Sequence, residues 1–234
     1  MMGASLVDGP LVPLDDGAMP TKTKPPRLNQ IGQKIGAKGQ RTRQRLIDVT
    51  IELLETHGMR DLTVAEIARV AETSPATFYV YFDSVQAVVL GALEQAPHSN
   101  DELVALIERP WTKGVADALA FVTLYTDLWN RHRTIFRVRN MAAEEGDQRF
   151  LDARSRASLP MLGAISDRVK AGQAAGRIDG SLHPASTAGV ILAMLERLSS
   201  VGPSREAEPH FGITYDHMRR AAAHMLAQML GEQG

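Results

Sequence analysis

The 234-residue chain contains no cysteine. Disulfides, thiol nucleophiles, thiol redox sensing and cysteine-ligated metal centres are thereby excluded, and a reducing, cytoplasmic setting is expected. No apolar run approaches the roughly 18 residues that a membrane span needs. The first 20 residues hold Asp8, Asp15 and Asp16 but no Lys or Arg, the wrong pattern for a secretory signal, so no membrane partner is expected. Aromatic residues are scarce at 5%, which makes any cluster of them informative. Net charge is small as well: 26 Lys plus Arg against 27 Asp plus Glu leave −1. Taken whole, that near-neutrality speaks against a polyanionic partner.

The position of the charge reverses the inference. Residues 17–47 lack any acid and carry Lys22, Lys24, Arg27, Lys34, Lys38, Arg41, Arg43 and Arg45, a total of +8. Residues 1–16 contribute −3 and residues 48–94 contribute −6, while residues 95–234 balance. A local basic block beside a folded domain is an electrostatic footprint for phosphate binding; its bland counterpart is a solvated tail.

What is present is ordinary for a soluble globular protein: 44% apolar and 23% charged residues, on a length suited to one or two domains. Residues 1–39 hold five of the twelve prolines and six glycines with no periodicity, and read as a flexible basic arm. From Gln40 onward the pattern is helical. Leu46, Val49, Thr50, Leu53 and Leu54 follow the 3.6-residue period, and His57-Gly58 reads as a glycine C-cap. Thr63-Val64-Ala65-Glu66 is a capping box opening a short second helix. Ala71-Glu72-Thr73 breaks the chain, Ser74-Pro75 starts a third helix, and Asp83-Ser84 caps a fourth. Longer helices follow over residues 100–108, 114–132, 135–143, 150–175, 184–201 and 214–230. There is no alternating β pattern, so the expected fold is all-α: an N-terminal three-helix helix-turn-helix domain over residues 40–94, then a helical domain over residues 95–234.

A second and third helix separated by three residues have helix-turn-helix spacing, in which the later helix can enter a DNA major groove. Four of the twelve aromatics lie within residues 78–82. Helical spacing puts Phe78 and Phe82 in the core and points Tyr79 and Tyr81 elsewhere, with hydroxyls for phosphates. Ser74, Pro75, Ala76 and Thr77 form a turn of small side chains able to approach base edges closely. At the entry to helix one, Arg41, Thr42, Arg43 and Arg45 are placed to position phosphates.

The run from Leu62 to Ala68, followed by Ser74-Pro75-Ala76-Thr77-Phe78-Tyr79-Val80-Tyr81-Phe82, resembles the DNA-binding signature of tetracycline-repressor-like (TetR family) regulators. The resemblance covers about residues 42–93. It implies a homodimer on a palindromic operator of double-stranded DNA, and a C-terminal domain that encloses a small-molecule effector and dimerises. Effector binding would respace the reading helices and release DNA. By the same resemblance Thr63 corresponds to a phosphate contact, Ser74 to Thr77 to base-reading positions, and Tyr79 to a backbone-contacting aromatic. Tyr81 stands where the family usually has His. Val85 replaces a usual phosphate-binding Lys, and Glu72 replaces a usual Gly, where a positive φ costs roughly 1–2 kcal/mol. The basic arm is available to replace the missing Lys.

The last two helices present apolar stripes that suit a dimeric four-helix bundle: Ile191, Leu195 and Leu198 on one, Met218, Ala222, Met225 and Met229 on the other. The alternative use of such stripes is intramolecular core. Effector candidates are Trp111, Phe121, Tyr125, Trp129, Phe136, Met141, Met161, Ile165 and Met194, all of which also suit a core. Few polar anchors stand among them, so an apolar or amphipathic effector is expected. Arg131, Arg133, Arg137 and Arg139 read as a solvated helix end, the alternative being a site for an anionic group on a ligand. The seven histidines include no pair at i, i+4, and no metal site, cofactor or catalytic constellation is expected. The functional expectation is a repressor that an effector releases from DNA. Its alternatives are an activator of the same fold, or an all-α enzyme or small-molecule binding protein.

Overall fold

The computed structural model describes residues 36–96, 101–207 and 211–231. The arm over residues 1–35 lies outside them. Among the described residues there are helices and no strand, as the periodicity implied.

The first four helices are α1 (Ala37–Leu54), α2 (Val64–Val70), α3 (Pro75–Tyr81) and α4 (Val85–Leu93). Helix α1 begins ahead of residue 40, so the sequence-drawn boundary of the arm falls inside a helix. Its buried stripe is Leu46, Ile47, Val49, Thr50 and Leu54, and the Thr50 hydroxyl donates to the Leu46 carbonyl at 2.7 Å, hiding its polarity in the core. The expected glycine C-cap is corrected: Glu55 caps α1 in right-handed geometry, and His57 Nδ1 lies 3.1 Å from the Leu53 carbonyl. The Thr56 and His57 amides also donate to that carbonyl, at 3.2 and 3.0 Å, so the helix end is closed without a left-handed glycine.

Three short helices then follow from three side-chain caps. The Glu66 amide donates to Thr63 Oγ1 at 3.2 Å, the Thr77 amide to Ser74 Oγ at 3.1 Å, and the Ala87 amide to Ser84 Oγ at 3.2 Å. Each contributes about 1 kcal/mol and fixes where its helix starts. Between α2 and α3, Glu72 adopts φ 55°, the left-handed conformation that its position in the turn demands.

The other helices are α5 (Asp101–Glu108), α6 (Val115–Arg131), α7 (Arg133–Glu144), α8 (Gln148–Ala174), α9 (Pro184–Ala207) and α10 (Tyr215–Leu230). Helix α10 packs along α6, α8 lies between α7 and α9, and α5 fills the space by α6 and α8. Arg168 ties this end together. Its guanidinium stacks 4.5 Å from the Trp111 ring centre and donates to the carbonyls of Ile107, Arg109 and Leu230, where α5 and α10 end. A cation there also meets the negative ends of two helix dipoles. Helix α7 abuts both α1 and α4, so one apolar core runs from Leu46 to Leu230 across both halves. No single helix among the described residues is long and apolar enough to cross a membrane.

Candidate nucleic-acid interface and effector cavity

Helix α3 has two sides. Phe78 is fully buried and Phe82 nearly so, with their rings 5.8 Å apart, and this pair fastens α3 to the core. On the outer side Ser74, Pro75 and Ala76 are exposed, and Tyr79 is 53% exposed. Tyr79 is held edge-on to Phe78 at 5.7 Å, so its phenol projects from a braced ring. The Ser74 hydroxyl, already the helix cap, also lies 2.9 Å from Thr77 Oγ1. The turn from Ser74 to Thr77 is therefore ordered before any contact. Thr63 is exposed at the start of α2. Val80, 41% exposed beside Tyr79, is an apolar surface residue that the sequence reading passed over; an outward Val on an otherwise apolar helix was the available signal.

Three expected placements change. Tyr81 does not point freely outward: it is half-buried against the core, because it follows Phe78 by three residues and shares part of its face. Arg43 is folded inward, its guanidinium 4.9 Å from the Phe82 ring centre. The reason is Gly91 on α4, where a Cβ would meet Arg43 Nη2 and Phe82 at 3.0 Å, so the missing side chain makes the slot. Val85 is buried, which explains why no lysine occupies that position here. Arg41 and Arg45 stay exposed on α1, Arg45 with only a long 3.5 Å hydrogen bond to the Val70 carbonyl. Thr42 is half-buried, and its hydroxyl donates to the Lys38 carbonyl at 3.2 Å.

In the second half, four of the expected effector residues converge. Tyr125 and Trp129 of α6, Phe136 of α7 and Met161 of α8 line a cavity of about 20 Å³, together with Arg139, Ala157, Ser158, Leu192 and Glu196. That volume is little more than one water molecule requires. The other candidates are elsewhere. Trp111 and Phe121 are sealed in the core near Arg168, with the Trp111 N–H donating to the Leu106 carbonyl at 2.8 Å. Ile165 is fully buried and Met194 packs against the core, and neither lines the cavity. Met141 is 57% exposed and borders a separate cleft of about 740 Å³, between α7 and the α1–α2 turn.

The cavity's polar anchor corrects the reading of one member of the arginine cluster: Arg131 and Arg137 are exposed as a solvated end should be, but Arg139 is not. Arg139 is buried, its Nη2 2.8 Å from Glu196 Oε1, its Nε donating to Asn140 Oδ1 at 2.9 Å, and its guanidinium 4.9 Å from the Phe136 ring centre. Burial lowers the Arg139 pKa, and the Glu196 carboxylate opposes that shift. Burial pushes the Tyr125 phenol well above its ordinary range; Glu196 adds to the shift and Arg139 offsets part of it. The signal was available in sequence. Arg139 follows Ile135 and Phe136 by four and three residues, on the buried face, and Glu196 interrupts the apolar stripe of α9. Among the described residues no group of three or more His, Asp or Glu is placed to hold a metal ion.

The dimer stripes also divide differently. Ile191, Leu195, Leu198 and Ala222 are buried within the chain and Met218 is half-buried, because α9 and α10 turn these faces toward α6 and α8. Of the stripe residues, Met225 and Met229, at 59% and 41% exposure, remain on the outside. They border a shallow hollow with Ile178 and Leu182.

Residues 46–92 match the family model described as bacterial regulatory proteins, tetR family, and residues 101–231 match the tetracyclin repressor-like C-terminal domain. The chain belongs to the TetR family. It is a DNA-binding transcriptional regulator of the helix-turn-helix type. A curated relative, the uncharacterized HTH-type transcriptional regulator TtgW of Pseudomonas putida, is 33% identical over 84 residues, 35% of this chain and 63% of that protein. The fold matches the fatty acid degradation regulator FadR from Bacillus halodurans at 14% identity, with a TM-score of 0.61 over 84% of this chain and 97% of that one. It also matches the MbdR regulator from Azoarcus sp. CIB at 17% identity, with a TM-score of 0.60 over 82% and 100%. TetR regulators bind DNA and small-molecule effectors and dimerise, and both halves needed for this are present.

Proposed function

We propose that the chain is a homodimeric repressor that holds a palindromic operator through paired α3 helices and leaves it when a small molecule occupies the α6–α9 cavity. The observation that carries the reading is the outer side of α3, where small, capped residues lead to a braced, exposed Tyr79. Ser74, Pro75, Ala76 and Thr77 would read bases, with Val80 offering methyl groups to thymine. Tyr79, Thr63, Arg41 and Arg45 would hold phosphates, and Thr42 and Tyr81 would support them from half-buried positions. The basic arm, residues 1–35 once α1 is allowed its full length, would add electrostatic contacts. The dimer patch we assign is Met225 and Met229 with Leu182, since the inward stripes are already used.

Transmission would run through α7. One side of it presents Phe136 and Arg139 to the cavity, the other packs on α1 and α4, and Arg60 before α2 pairs with Glu145 after α7 at 2.8 Å. A ligand that displaces α7 moves the helices that carry α3. Selecting bound fragments from genomic DNA tests the whole reading. A two-fold symmetric consensus upholds it, whereas binding without sequence preference defeats it. Repeating the selection with Thr77→Ala should relax one base pair per half-site. Transcription from the selected promoter should rise when the gene is deleted; a fall would make the protein an activator.

A further inference from the structure

Three buried donor groups line the cavity: the Trp129 indole, the Arg139 guanidinium and the Tyr125 phenol. The Trp129 indole N–H is buried, and it donates to nothing among the described residues. An orphaned buried donor of this kind is destabilising, and a ligand acceptor relieves it. The second donor group is Arg139, which among the described residues is the one cation lining the cavity, as Glu196 is the one acid. Their burial is unequal: Arg139 is 1% exposed and fixed by the Phe136 ring and Asn140, whereas Glu196 is 23% exposed. If the pair opens, it is therefore Glu196 that leaves. It has somewhere to go, because it also lines an outer cleft of about 380 Å³ where Arg137, Arg154 and Arg197 outnumber the one other acid, Glu144. The inner wall, formed by Tyr125, Trp129, Phe136, Met161 and Leu192, is apolar and largely aromatic.

We infer that the effector is an organic monoanion, a carboxylate on an apolar aromatic or acyl body, which takes the place of Glu196 on Arg139. The inference rests on the proposed effector cavity and names the chemistry it selects. An incoming carboxylate keeps the buried guanidinium neutralised, so exchanging one carboxylate for another avoids the penalty of an unpaired buried charge. The ligand's oxygens supply the acceptor that the Trp129 N–H lacks. A neutral body of the same shape would leave Glu196 in place and block the entrance. A cation would meet Arg139. The arginines of the outer cleft raise the local concentration of anions before entry.

Space comes from α8. Pro160 lies inside that helix and has no amide to offer the Arg156 carbonyl, and the Ser158 hydroxyl donates to the Arg154 carbonyl at 2.9 Å. The ladder is thus weakest beside Ala157, Ser158 and Met161, the residues α8 contributes to the cavity wall.

The test uses the full chain and titration calorimetry, with decanoate and 4-phenylbutyrate as probes, their methyl esters as neutral matches and decylammonium as the cation. At least one carboxylate should bind ten times or more tighter than its ester and should weaken the operator complex. Glu196→Gln keeps a hydrogen bond to Arg139 but removes the competing charge, so it should tighten carboxylate binding about tenfold. Arg139→Gln should abolish the preference for acid over ester. A merely structural Arg139–Glu196 pair predicts no gain from Glu196→Gln, and that result overturns the inference. Esters binding as well as acids, and blocked by the cavity-filling Ala157→Phe, would overturn the anion while leaving the effector cavity standing. No response to any probe, in binding or in operator release, would overturn both.

Discussion

The two halves of the molecule are held together over different sequence distances. In the helix-turn-helix the decisive bonds are short-range. Caps span three residues at Thr63, Ser74 and Ser84, and Phe78 meets Phe82 four residues on. In the C-terminal half they are long-range. Arg139 and Glu196 are 57 residues apart, Arg168 and Ile107 61, and Asn130 and Tyr215 85. The outer surface of α3 proposed to read DNA is thus prepared locally. The cavity exists only when distant helices are brought into register, which is where a ligand can intervene.

The largest effect is expected where the long-range half carries buried charge. Glu196→Leu strands Arg139 and should lower the unfolding free energy by about 3–5 kcal/mol in urea denaturation. Adding Arg139→Met should recover most of it, since an apolar pair of similar volume suits that site. A single variant as stable as the parent would mean the half does not depend on this pair. In the local half, Tyr79→Ala should leave the melting temperature unchanged yet weaken every operator about 10- to 100-fold, two hydrogen bonds being lost per dimer. A shifted consensus would show that Tyr79 reads bases instead. A smaller effect belongs to Glu72, at φ 55°. Glu72→Gly trades steric strain for chain entropy, and a gain of about 0.5–1 kcal/mol is expected with operator affinity unchanged.

The smallest is a pH effect on the hinge between α6 and α7. Burial, and then the charge of Arg131, lowers the pKa of His132, whose ring lies 5.6 Å from Phe136. A histidine that is harder to protonate folded than unfolded contributes stability above its unfolded pKa of about 6.5. That contribution is lost as pH falls through the lower folded value. Stability should therefore slope downward below about pH 6.5, and His132→Gln should flatten that part of the curve. An unchanged slope in the variant would assign it to another group.

The same distinction decides what could be read before folding. The three caps and the buried Phe78 and Phe82 followed from residues within four positions of one another, and each is where the sequence placed it; the left-handed Glu72 came from the family resemblance, where a Gly is usual. The misplacements have non-local causes. Arg43 turned inward because Gly91, far along the chain, leaves a slot. The apolar stripes of α9 and α10 went into the core because α6 and α8 offered partners first, leaving Met225 and Met229 outside. Trp111 and Tyr125 look alike in sequence, and only the position of Arg168 in space separates a sealed core residue from a cavity wall. Periodicity showed that residues would be buried; it carried no information on which helix would bury them.

One hydroxyl pair constrains how the protein can change over time. Ser74 and Thr77 touch each other while Ser74 also caps α3, so two of the side chains proposed to read bases are the ones that start the helix. On the proposed reading, a substitution at either position should alter operator choice and folding together, and a lineage acquiring a new binding site there must first have stability to spare. Pro75 and Ala76, exposed and outside that pair of bonds, are open to drift at far smaller cost. Diversification of target genes should therefore begin in the middle of this turn, with its two hydroxyls following only after compensating changes elsewhere.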